Sequence, residues 1–190
     1  DVYRMVDDTF SVPKSILIKN ATLGGSLTNI LIEGKRFSDL HAYEDVQAEK
    51  IIDAEGMAIL PSLFNTHTHA AMTLMRGYGE DLPLKKWLED YVWPFESRIT
   101  PEDIRMGSDI AIREMLHSGT TFFSDMYFDI EETIKAVDES GLRAAIGITV
   151  MDNHTLSQTE AKKDFVRSWV DPTGGRIQLV MCPHAIYTVN

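Results

Sequence analysis

A chain of 190 residues holds one large domain or one and a half small ones, and 44% hydrophobic with 25% charged residues is ordinary for a globular protein. Eighteen Lys and Arg against 29 Asp and Glu leave a formal charge of −11 with no basic cluster, which argues against nucleic acid as partner and for a neutral or cationic small molecule. Cys182 is the only cysteine, no apolar run reaches about 18 residues, and Asp1-Val2-Tyr3-Arg4 does not read as a signal peptide; a cytoplasmic chain with no internal disulfide and no membrane partner is expected.

Residues 1–14 are polar, carry Asp7-Asp8 and Pro13, and read as a loosely held extension. From 15 to 56 come short β-like runs: Ile16-Leu17-Ile18, Leu27 to Ile32, a turn at Glu33-Gly34-Lys35, and Lys50-Ile51-Ile52 before the polar turn Asp53-Ala54-Glu55-Gly56. The apolar run Met57 to Phe64 predicts a buried strand opening a second region, 57–190. Leu84, Trp87, Leu88, Tyr91, Val92 and Phe95 follow a helical spacing that predicts a short amphipathic helix ending near Pro94. Thr100-Pro101-Glu102-Asp103 is a helix start, with a Thr N-cap, proline at the first position and acids in the first turn. Ile104, Ile110, Ala111, Met115 and Leu116 are expected on that helix's buried face, with Gly119 closing it. A strand over Thr120–Met126, a helix over Ile130–Ser140 stopped by Gly141, a strand over Leu142–Val150, a helix over Thr159–Val170 and a strand over Arg176–Cys182 complete the series. Such alternation predicts a parallel sheet covered by helices. About four strands are present, whereas a closed (β/α)₈ barrel needs eight and about 250 residues. An open sheet and the first half of a barrel both fit.

Asn65-Thr66-His67-Thr68-His69 carries the clearest chemistry. In a strand alternate side chains share a face, so His67 and His69 point the same way, with Cα atoms roughly 6.5–7 Å apart, and both imidazoles can lean onto one metal ion. Ligand sites of barrel enzymes form at this end of the strands.

With its surroundings the motif becomes specific. Leu60 to Thr73, Arg76-Gly77, Asp81 to Leu84, Trp87-Leu88, Trp93-Pro94-Phe95-Glu96, Gly119 to Phe122, Asp125 to Phe128 and Cys182-Pro183-His184-Ala185 occur in one order. The chain thereby resembles the amidohydrolase superfamily, in its branch of 5-methylthioadenosine/S-adenosylhomocysteine deaminases and chlorohydrolases. The resemblance implies a (β/α)₈ TIM barrel, here about its first four βα units, preceded by part of a small β-sandwich. It implies His67 and His69 as ligands of one divalent metal, zinc first, with iron or manganese as alternatives. It implies hydrolytic deamination of an adenine nucleoside by a metal-activated water, with Glu96 against the ribose hydroxyls and His184 on the purine or ribose. A carboxylate has two acceptor oxygens and can take hydrogen bonds from both hydroxyls of a diol.

Trp87, Tyr91 and Trp93 are candidates to wall an apolar pocket or simply to fill the core, and Asp125 to orient a ligand from behind. His41 and His154 read as surface residues, and His117 as a charge favourable to a helix C-terminus. Ser62 stands where relatives usually have glycine, and Ile148 where some deaminases have a substrate-binding arginine, so their substrate does not carry over directly. The remaining ligands and the proton-shuttling glutamate of such enzymes are expected beyond Asn190. No catalytic residue is therefore assigned, and the isolated 190-residue chain is expected to be inactive. The alternatives are a hydrolase of another ring, such as a triazine or aminopurine, and a non-catalytic fragment pairing with another polypeptide. Homo-oligomerisation is compatible with either.

Overall fold

The computed structural model describes residues 12–152, 156–186 and 188–189, the side chains of 156–159 excepted. Two compact units divide between Pro61 and Ser62. In the first, β1 (Ser15–Leu23), β2 (Ser26–Glu33), β3 (Arg36–Asp39) and β4 (Lys50–Asp53) form one sheet of order β3-β2-β1-β4. Gly24 and Gly25, at φ 59° and 86°, make the tight turn joining β1 to β2; two successive positive φ values are what a two-residue hairpin turn demands. Leu17, Ala21 and Ile30 are its buried apolar centre. Of the expected extension, residues 1–11 lie outside the described residues. Lys14 is tied in, its carbonyl accepting from Gly34 N–H at 2.8 Å.

The second unit is a parallel sheet, β5 (Leu63–Thr68), β6 (Thr120–Met126), β7 (Arg143–Val150) and β8 (Ile177–Pro183), in that spatial order. The strands alternate with α3 (Pro101–His117), α4 (Ile130–Ser140) and α5 (Leu156–Ser168). Between β5 and α3 lie a 3₁₀ turn, Ala70–Met75, and a helical segment made of α1 (Leu84–Trp87), a π turn (Leu88–Val92) and α2 (Trp93–Glu96). Phe123, Ile146, Val137, Ile112 and Ile177 meet in one core between sheet and helices. Its largest member, Phe123, is fully buried.

The structure departs from three expectations. The apolar run Met57–Phe64 is not one strand. Met57 O accepts from Thr22 N–H and Ile59 N–H donates to Thr22 O, so its first half extends the sheet of β1, and β5 starts only at Leu63, after Pro61. The helix expected to end near Pro94 runs on to Glu96. A π turn in front of the proline, with Trp93 N–H donating to Leu88 O, widens the backbone where Pro94 has no N–H to offer. On α3 the buried apolar residues are Ile104, Ala111, Ile112 and Met115, while Ile110 and Leu116 face outward. Gly107 sets this rotation: a Cβ there would stand 2.5 Å from the Ala71 carbonyl oxygen, so the helix seats its glycine against the turn that follows His69. The helix starts as expected, with a reciprocal Thr100–Asp103 capping box.

Candidate active site

His67 is within β5 and His69 is the residue that caps the 3₁₀ turn behind it. Their rings meet edge to face, with centroids 5.2 Å apart. His69 Nδ1 is 2.8 Å from the carbonyl oxygen of Met126. A carbonyl can only accept, so Nδ1 carries a proton, and in the neutral imidazole the lone pair is then on Nε2. Asp125 is the expected orienter here, but the contact to the His69 ring comes from the backbone of the next residue. Asp125, 1% exposed, works on the chain on either side of His69: its Oδ1 accepts from Thr68 Oγ1 at 3.0 Å and from Ala70 N–H at 2.7 Å. Burial pushes its carboxyl above the usual range, although these donors and the nearby His69 pull it down.

The two imidazoles fit a borderline-soft divalent cation: both are nitrogen donors, and the His69 tautomer leaves Nε2 for a ligand. Among the described residues no third His, Cys, Asp or Glu joins them in a cluster able to hold a metal.

Beside the pair opens a cavity of about 290 Å³. His69, Glu96 and His184 all line it, brought there from the end of β5, the end of the helical segment 84–96 and the residue after β8. Its apolar wall includes Met72, Leu88, Trp87 and Trp93. His67 is exposed and not part of this lining. Tyr91, proposed for the wall, is not there either; it stacks edge-on against Tyr78 at 5.1 Å. The Trp87 indole N–H donates to Tyr78 O at 3.2 Å, which fixes its ring.

Glu96 is half-buried, and Tyr127 Oη donates to its Oε1 at 2.9 Å. Desolvation raises the Glu96 pKa against the opposing effects of this bond and of His69. His184 is exposed, with Nδ1 2.9 Å from Thr188 Oγ1 and its backbone N–H donating to Val150 O. His117 is exposed at the end of α3, His41 Nδ1 is 3.0 Å from Thr28 Oγ1, and His154 lies outside the described residues. Ser62 bonds Thr121 through its hydroxyl at 2.6 Å, and Ile148 is buried.

Sequence reasoning missed Met126 as the partner of His69 and Tyr127 as the partner of Glu96. The first is a backbone contact and leaves no trace in side-chain identity. The second had a signal: Phe123, Asp125 and Tyr127 alternate as buried residues, so the tyrosine continues the inward face of β6.

The model of the amidohydrolase family matches residues 58–190. The chain is 43% identical over 187 residues to the 5'-deoxyadenosine deaminase of Methanosarcina mazei, covering 92% of this chain and 43% of that protein. It is 42% identical over 186 residues to the 5-methylthioadenosine/S-adenosylhomocysteine deaminase of Carboxydothermus hydrogenoformans, again covering 92% and 43%. An adenosine deaminase from Xanthomonas campestris, solved with bound zinc, superposes with a TM-score of 0.76 at 27% identity over 93% of this chain and 44% of that one. The atrazine chlorohydrolase of Arthrobacter aurescens TC1 shares the fold, with a TM-score of 0.77 at 21% identity over 92% and 48%. The chain belongs to the amidohydrolase family. Its four parallel strands with intervening helices are βα units of that family's barrel. It spans less than half the length of these relatives.

Proposed function

We propose that this chain is the metal-strand half of a hydrolase that deaminates adenine nucleosides such as 5'-deoxyadenosine or 5-methylthioadenosine. The observation that carries the reading is the convergence of His69, Glu96 and His184 on one apolar-walled cavity, with His67 beside His69. The names borne by the relatives at 42–43% identity point the same way. His67 and His69 would hold a divalent ion, zinc first and iron or manganese as alternatives. When bound, such an ion supplies Lewis-acid activation of water at neutral pH.

The protein's own groups do the rest. Glu96 accepts hydrogen bonds from ribose hydroxyls, since an ionised carboxylate is acceptor-only. His184, on the same cavity, bonds the purine or ribose. Met72, Leu88, Trp87 and Trp93 shed water around the ring and the 5' substituent. In this reading the strands from 15 to 61 form part of a small β-sandwich, 62–190 the first barrel half, and the protein works in a reducing, cytoplasmic setting.

The test is ammonia release by the full-length, zinc-loaded protein. Turnover of 5'-deoxyadenosine or 5-methylthioadenosine, abolished by His67→Ala or His69→Ala, is the expected result. Chloride release from a chlorotriazine without nucleoside turnover would overturn it.

A further inference from the structure

Glu96 stands at the end of a helix interrupted by a π turn, with two carboxylate oxygens and a choice of rotamers. One contact removes that choice. The Tyr127 hydroxyl, at the end of a ring 7% exposed, reaches Glu96 Oε1 at 2.9 Å. Tyr127 itself cannot move far. It packs with Ala71 and Ile104, its ring centroid is 4.8 Å from Phe128 and 6.4 Å from His69. We propose that Tyr127 is the positioning residue of the ribose subsite: by occupying Oε1 it turns Oε2 of Glu96 into the cavity, so that the site selects nucleosides with an intact vicinal diol. This rests on the nucleoside reading above.

The geometry supplies the reason. A phenol bonded to an ionised carboxylate must donate, because the carboxylate can only accept. A charge-assisted bond of this kind is stronger than a neutral one and pins both partners. Tyr127 donates to one oxygen of Glu96 while the other keeps its lone pairs for ligand hydroxyls. The tyrosine also joins the two parts of the site, because the Glu96 helix and the His69 strand end are both within reach of this one side chain.

The experiment is titration calorimetry on the full-length, zinc-loaded protein. Its ligands are 5'-deoxyinosine, which is a deamination product and is not turned over, and the 2',3'-dideoxy form of the same molecule. Wild type is expected to bind the diol at least tenfold more tightly. Tyr127→Phe keeps the ring and its packing; it is expected to erase most of that ratio by weakening diol binding alone. Glu96→Gln should do the same, and the double variant should be no worse than either. In turnover of 5'-deoxyadenosine, Tyr127→Phe should raise KM about tenfold with kcat within about twofold. Equal weakening of both ligands, a fall in kcat at constant KM, or no preference for the diol in wild type would overturn the proposal. A protein that prefers the diol but releases no ammonia from any adenine nucleoside would leave the Tyr127 role standing and end the deaminase reading.

Discussion

Asp125 shows how much of the chain around His69 one buried side chain can hold in place. Its Oδ1 holds Thr68 Oγ1 and Ala70 N–H, the neighbours of His69 on both sides. Thr68 Oγ1 also reaches Ser124 O at 2.8 Å, so of these two donors Ala70 N–H is the one left without a partner on truncation. Asp125→Ala should therefore destabilise by about 1–3 kcal/mol, the penalty of one buried unsatisfied donor, and Asp125→Asn, which keeps an acceptor, by less. Urea midpoints measure both. The carboxyl titrates above its ordinary range in the folded chain, so the folded state binds more protons than the unfolded one. Stability contributed by its protonated form is complete below the unfolded value of about 3.9 and is lost as pH rises through the raised folded value. Asp125→Asn should flatten that slope, and an unchanged slope would show that the charge lies elsewhere. Position 125 was visible in the sequence as a polar residue at a strand end. Its task was not, because hydrogen bonds to backbone N–H depend on how two strands lie together.

At the scale of elements, the helix starts and stops were largely legible. Thr100-Pro101 and Gly141 act within one turn of chain, and the ends of α3 and α4 follow them. Helix rotation was less so. Ile110 and Leu116 have the same hydrophobic character as Ile112, yet the last is buried and the first two are not. The decision comes from Gly107 against Ala71, a contact between segments distant in sequence. Gly→Ala in a helix interior ordinarily gains about 1 kcal/mol. Here the new methyl would lie 2.5 Å from a carbonyl oxygen of the turn behind His69, and overpacking of about 1–3 kcal/mol should prevail. Gly107→Ala is thus expected to lower the melting temperature, and a rise would refute the close approach. The Leu84–Glu96 stretch teaches the same lesson. Its helical period was readable, but the π turn that carries the helix past Pro94 and lets Glu96 reach Tyr127 was not.

At the scale of the molecule, the proposed metal pair sets the limit on what this chain is expected to do by itself. Two imidazoles without a third clustered ligand among the described residues should bind zinc weakly and support no catalysis. Incubated with zinc and 5-methylthioadenosine, the isolated 190-residue chain should release no ammonia above background; sustained turnover would show that these residues suffice. The sequence by itself determined the parallel βα order, the family, and the two histidines at the end of the first barrel strand. Each of these is written in local periodicity, in turn chemistry or in a contiguous motif. Only the tertiary structure decided that His69 answers to a backbone carbonyl, that Tyr127 holds Glu96, and that Glu96 and His184, 88 positions apart in the chain, share one cavity with His69. These are meetings between the ends of different strands and helices, set by sheet register and helix rotation, and His67-Thr68-His69 gains its surroundings only through them.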